Sequence, residues 1–99
     1  GGENVYPAEF ENVILAHDQV KDVAVIGQES EKWGESPLAI IVKKSDNLDA
    51  DGIMGFCVGK LARFKLPKAV EFVEVIPRNP SGKALKRELR SKFPTKAPE

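Results

Sequence analysis

Segment 77–83, PRNPSGK, gathers the residues best suited to chemistry. Pro77 and Pro80 restrict the backbone on both sides of Arg78 and Asn79, forcing an extended, irregular loop. Ser81 and Gly82 shape its end, and Lys83 follows them. Lysine places a compact charge on a flexible stem. An ammonium set between two anions offsets their repulsion and stabilises the transition state in which they join. A lysine after a turn is nonetheless most often simply solvated, so Lys83 needs its context to mean more.

Other reactive groups are sparse. Cys57 is the single cysteine, which excludes an intramolecular disulfide, and with the lone His17 it gives no metal-ligand spacing. That composition suits a reducing cytoplasm. Cys57 falls on the apolar face of an expected helix and reads as core, while His17 reads as a helix-end or partly packed residue. No apolar run approaches the roughly 20 residues of a membrane helix. The first residues, GGENVYPAEF, have neither the basic start nor the apolar stretch of a signal peptide.

Formal net charge is zero, but the charges are divided along the chain. Residues 1–59 carry 4 basic and 11 acidic side chains, and residues 60–99 carry 11 basic and 4 acidic ones. Two solvated faces of opposite sign would account for this. So would a basic half that meets a polyanion: a nucleotide, CoA or nucleic acid. A free-standing module for nucleic acid is therefore an alternative. Against it, aromatic residues make up only 7% and are not interleaved with the basic ones as a stacking platform requires.

The elements that must position these residues follow from the apolar pattern. A first helix is expected to start at Pro7, since proline loses nothing at the first helical position. Phe10, Val13, Ile14 and His17 then share a face, and Val5 and Phe10 can staple the helix start. Residues 20–26 form a strand ending at Gly27, and residues 38–42 form another, with the polar stretch QESEKWGES as the loop between them. Both strands are continuously apolar, which predicts a sheet covered on both faces. A second helix is expected over 49–61, capped by Asp49, with Leu48 and Ile53 as its staple pair and Ile53, Phe56, Cys57 and Leu61 buried. Gly52, Gly55 and Gly59 weaken it by roughly 1 kcal/mol each relative to alanine. A third strand spans 70–75. A short basic helix over 84–92 docks through Leu85 and Leu89, and its charges (Lys83, Lys86, Arg87, Arg90 and Lys92) form a solvated or interdomain face. The fold class is α/β (α+β): a small mixed three-stranded sheet packed with helices, over residues 1–93, with 94–99 as a flexible tail.

Four segments in this order and spacing, GGENVYPAE (1–9), KWGE (32–35), RFKLPK (63–68) and PRNPSGKALKRELR (77–90), resemble the C-terminal domain of the adenylate-forming acyl-CoA synthetases. The resemblance covers about residues 1–92. The GGENVYP version of the first segment is similar to ligases for fatty and aryl acids. The family reaction that this implies has two halves. A carboxylate attacks the α-phosphate of ATP, releasing pyrophosphate and leaving an acyl-adenylate. The thiol of CoA then displaces AMP. The C-terminal domain turns between two orientations, one for each half.

The resemblance implies a role for each matching residue. Lys83 is the catalytic lysine of the adenylation half. Gly1 and Gly2 let the backbone line the pantetheine tunnel of the CoA half, with Glu3 and Asn4 in the same loop. Trp33 lies against CoA, although a lone tryptophan equally anchors a core. Phe64 and Lys65 match a CoA-contacting pair, and Arg63 and Lys68 are further candidates for the CoA phosphates. Related ligases can carry a basic residue where this chain has Leu66. The resemblance also implies partners: a large N-terminal domain that holds ATP, the acid and Mg2+, with a hinge upstream of Gly1. This chain alone is expected to be inactive and to hold no metal of its own.

Overall fold

The computed structural model describes residues 8–30, 34–60 and 69–93. Helix α1 (Ala8–Leu15) is followed by strands β1 (Val20–Ser30) and β2 (Gly34–Lys43), helix α2 (Ala50–Lys60), strand β3 (Ala69–Phe72) and helix α3 (Lys86–Lys92). This is the expected order, and the sheet is mixed. β1 pairs antiparallel with β2, β2 pairs parallel with β3, and β2 is central. A parallel pair needs a crossover connection, and α2 lies within it.

The apolar runs of β1 and β2 are covered on both faces, as their composition predicted. Side chains alternate across a strand, so each run supplies two half-cores. Val23, Val25, Ala39 and Ile41 face Phe10 and Ile14 of α1, Ile53 and Cys57 of α2, and Leu48. Ala24, Ile26, Leu38, Ile40 and Val42 face Ile76 and Leu89, with Ala84 and Phe93 packed at the margin. The helices are therefore split between the faces: α1 and α2 on one, α3 on the other.

Several expected boundaries are corrected. β1 does not end at Gly27. It continues to Ser30, and the polar stretch read as loop extends the ladder through Gly27↔Pro37, Gln28↔Ser36, Glu29↔Glu35 and Ser30↔Gly34. Backbone pairing does not require apolar side chains, and two of the polar residues, Gln28 and Ser36, are themselves buried. Pro37 is tolerated in the central strand for a geometric reason. Ile41 turns its carbonyl toward Val73, 2.9 Å away, so odd-numbered positions of β2 face β3. The N–H that Pro37 lacks would point the same way, and the β3 pairing begins only at Leu38.

β3 covers only residues 69–72 rather than 70–75, and Val75 is largely exposed. α3 begins at Lys86, not at residue 84, because Ala84 bridges back to Arg78. Asp49 caps α2 as expected, its Oδ1 accepting the Gly52 N–H at 2.8 Å. Phe10 and Ile14 are buried and Val13 half-buried. His17 lies just beyond α1, its Nδ1 accepting the Gln19 N–H, with its ring edge-on to Phe56. The Pro7 start, the Val5 staple, Leu61 and the 94–99 tail lie outside the described residues.

Candidate functional site

The loop that carries Lys83 is ordered by its own polar atoms. Asn79 Oδ1 accepts three hydrogen bonds: from the Ser81 N–H at 3.1 Å, the Ser81 hydroxyl at 2.6 Å and the Lys83 N–H at 3.0 Å. The backbone closes the same turn, with the Asn79 N–H donating to the Lys83 carbonyl and the Gly82 N–H to the Asn79 carbonyl, each at 2.9 Å. Gly82 has φ +90°, a left-handed conformation that a residue with a Cβ adopts only with strain. One residue outward, the Arg78↔Ala84 bridge and the Leu85 N–H on the Pro77 carbonyl, at 2.8 Å, join the two arms. The segment expected to be irregular is therefore a closed turn, and Asn79 is the residue that sequence reasoning passed over. An Asx side chain beside a proline and two residues before a serine is the local signal for it.

Arg78 ties this turn to the sheet. Its Nη2 and Nε donate to the Asp22 carboxylate at 2.6 and 3.2 Å, and its Nη1 donates to the Gly82 carbonyl at 2.7 Å. The hydrogen bond to Asp22 raises the guanidinium pKa further, so Arg78 is charged at any working pH. Further along the same strand, the Val25 N–H donates to Glu11 of α1 at 2.7 Å, and Glu11 also pairs with Lys86 at 3.2 Å. Two N–H groups of edge strand β1 are thus held by carboxylates: Val23 by Asp22 and Val25 by Glu11. Neither is left free to pair with another strand.

A cleft of about 850 Å³ runs along this edge between α1, the turn and α3, lined among others by Glu11, Arg78, Lys83, Lys86 and Arg87. Lys83 is exposed, and among the described residues its ammonium meets no carboxylate, whereas Arg78 and Lys86 are both paired. The arrangement presents an uncommitted cation on a rigid turn. A cation so placed can stabilise a negative charge that develops beside it. Gly1, Gly2, Trp33, Phe64 and Lys65, with Arg63, Leu66 and Lys68, lie outside the described residues. Among the described residues, no group of His, Cys, Asp and Glu side chains is placed to hold a metal ion, and no helix is long and apolar enough to cross a membrane.

Comparison with known proteins places this turn in a context. The long-chain-fatty-acid–CoA ligase FadD13 of Mycobacterium tuberculosis is 50% identical over 99 residues, which is all of this chain and 20% of that ligase. A 2-succinylbenzoate–CoA ligase of Bacillus cereus is 48% identical over 90 residues, 91% of this chain and 18% of the ligase. The fold superposes on a Mycobacterium tuberculosis fatty acyl CoA synthetase with a TM-score of 0.80 at 53% identity, covering 94% of this chain and 18% of that one. The chain thus spans about a fifth of the length of the relatives it matches. With the sequence model of the AMP-binding enzyme C-terminal domain matching residues 9–83, a stretch that ends on the lysine of the ordered turn, the chain belongs to that family.

Proposed function

We propose that this chain is the mobile C-terminal domain of an ATP-dependent carboxylic acid–CoA ligase, acting on a fatty or aryl acid, and that Lys83 is its adenylation residue. The observation that carries the reading is Lys83 itself: an exposed ammonium, unpaired among the described residues, on a closed turn, in a chain 50% identical over its length to a fifth of a CoA ligase. In the first half-reaction an oxygen of the acid attacks the α-phosphate of ATP and pyrophosphate departs. The Lys83 ammonium, delivered between the two anions, lowers the cost of their approach and of the charge that develops on the phosphorus oxygens. In the second, the thiol of CoA attacks the acyl carbon and AMP departs. For that step the domain turns, taking Lys83 away and bringing Gly1, Gly2, Trp33, Phe64 and Lys65 to CoA.

The large N-terminal domain is the partner in both halves. It would hold the acid and ATP, and the nucleotide would bring its Mg2+. A reducing cytoplasm fits the free, buried Cys57. The test is Lys83→Ala in the full-length ligase. Adenylation, followed by pyrophosphate exchange, should fall by about 10²-fold or more. Thioester formation from supplied acyl-adenylate should persist. Equal loss of both halves would remove the assigned role.

A further inference from the structure

We propose that Asp22 and Arg78 are positioning residues for Lys83: together they latch the Gly82–Lys83 peptide to the sheet, an inference that rests on the adenylation reading of Lys83. Asp22 and Arg78 are 56 residues apart in sequence, yet they meet in a two-point contact. A salt bridge between side chains 35% and 28% exposed would ordinarily contribute little. What distinguishes this one is the third hydrogen bond of the same guanidinium, from Nη1 to the Gly82 carbonyl. That carbonyl and the Lys83 N–H belong to one peptide group, and the N–H is held in turn by Asn79. Both ends of the peptide are therefore fixed, and with them the direction in which Lys83 leaves the backbone.

The site needs such a device. Gly82, at φ +90°, has more conformations open to it than any other residue type, and it sits immediately before the lysine. The anchor is firm because Asp22 belongs to β1 at its register shift, and its Oδ1 also accepts the Val23 N–H at 2.9 Å. A lysine that must meet two reactants gains from being carried on the sheet rather than on a free loop. Every member of the latch lies within this domain, so it travels with Lys83 and has no part in the half-reaction from which Lys83 is absent.

The experiment uses the full-length ligase with four changes: Asp22→Asn, Arg78→Lys, the exchange Asp22→Arg with Arg78→Asp, and Lys83→Ala. Each is read by pyrophosphate exchange, by thioester formation from supplied acyl-adenylate, and by melting temperature. Asp22→Asn should lower kcat of adenylation by about 10-fold, since small misplacements of reacting groups are costly. KM for ATP and thioester formation should stay unchanged. The exchange should recover the melting temperature, because the ion pair re-forms, but not adenylation, because a carboxylate at position 78 cannot donate to the Gly82 carbonyl. Recovery of adenylation along with melting temperature would overturn the latch and leave a plain stabilising pair. Normal adenylation in Asp22→Asn, with Lys83→Ala inactive, would overturn the latch alone. Normal adenylation in Lys83→Ala would overturn the latch and the catalytic reading together. Should Asp22→Asn fail to fold, Arg78→Lys decides: it keeps the charge but not the fork, and undiminished adenylation there overturns the proposal.

Discussion

Asn79 shows how much of a turn can depend on one acceptor. Its Oδ1 takes three donors, two of them backbone or side chain of Ser81 and one the Lys83 N–H. In Asn79→Ala these donors turn to water, and the Ser81 and Lys83 amides should exchange with solvent at least several-fold faster by NMR, at a stability cost of about 1 kcal/mol. Exchange no faster than in the parent would show that the backbone bonds alone hold the turn. Cys57 makes the opposite case, a reactive side chain silenced by packing. It is fully buried among Phe10, Ile14 and Ile53, and burial pushes its thiol above the ordinary value of 9.0. The folded state therefore keeps its proton at a pH where the unfolded state loses it. The resulting contribution to stability is fully present below 9.0 and declines as pH rises through and above that value. Urea midpoints measured from pH 7 to 10 should fall more steeply at the alkaline end than those of Cys57→Ala. Parallel curves would disprove the assignment.

At the scale of elements, α2 is a weak helix held in place by its surroundings. Asp49 supplies a cap, and Ile53 and Cys57 supply the burial. Asp49→Ala should destabilise the domain by about 1 kcal/mol. Gly55→Ala should do the reverse, by about 0.5–1 kcal/mol, because a methyl group there meets nothing within 4 Å. Gly52 differs: its methyl would crowd the same Asp49 oxygen that caps the helix. Thermal or urea unfolding of the three variants checks the signs. A gain at Gly52 equal to that at Gly55 would contradict the capping geometry. The β1–β2 hairpin teaches a different lesson. Gln28, Glu29, Ser30 and Glu35 are polar and lack the alternation of a strand, yet they continue the ladder. Hydropathy marks the apolar core but not backbone pairing, and the ladder runs on past Ile26↔Leu38.

For the whole molecule, the division of charge along the chain acquires a meaning. The acidic first part and the basic second part meet across the fold, Asp22 with Arg78 and Glu11 with Lys86. Part of the apparent excess of positive charge is thereby neutralised within the domain, which favours the ligase reading over a nucleic-acid module. Single-stranded RNA should accordingly show no submicromolar binding at physiological salt, and tight, salt-sensitive binding would revive the alternative. On the proposed reading, in which Lys83 acts against reactants held by a partner domain, the isolated chain should likewise form no acyl-adenylate when given ATP and a fatty acid.

The sequence by itself determined the order of elements, the two-sided burial of β1 and β2 and the Asp49 cap. Each of these is a local matter: apolar runs and cap residues act on neighbours a few positions away. It did not reveal where β1 and β3 end, because those limits depend on which backbone lies alongside. Nor did it reveal that the Lys83 loop is a closed turn fastened to Asp22. That depends on the fold bringing a carboxylate on an edge strand to a guanidinium 56 residues later, and on a single carbonyl, that of Gly82, facing the same guanidinium. Spacing along a chain records neither distance nor direction across it, so the residues marked Lys83 as a candidate, and the tertiary structure decided how it is held.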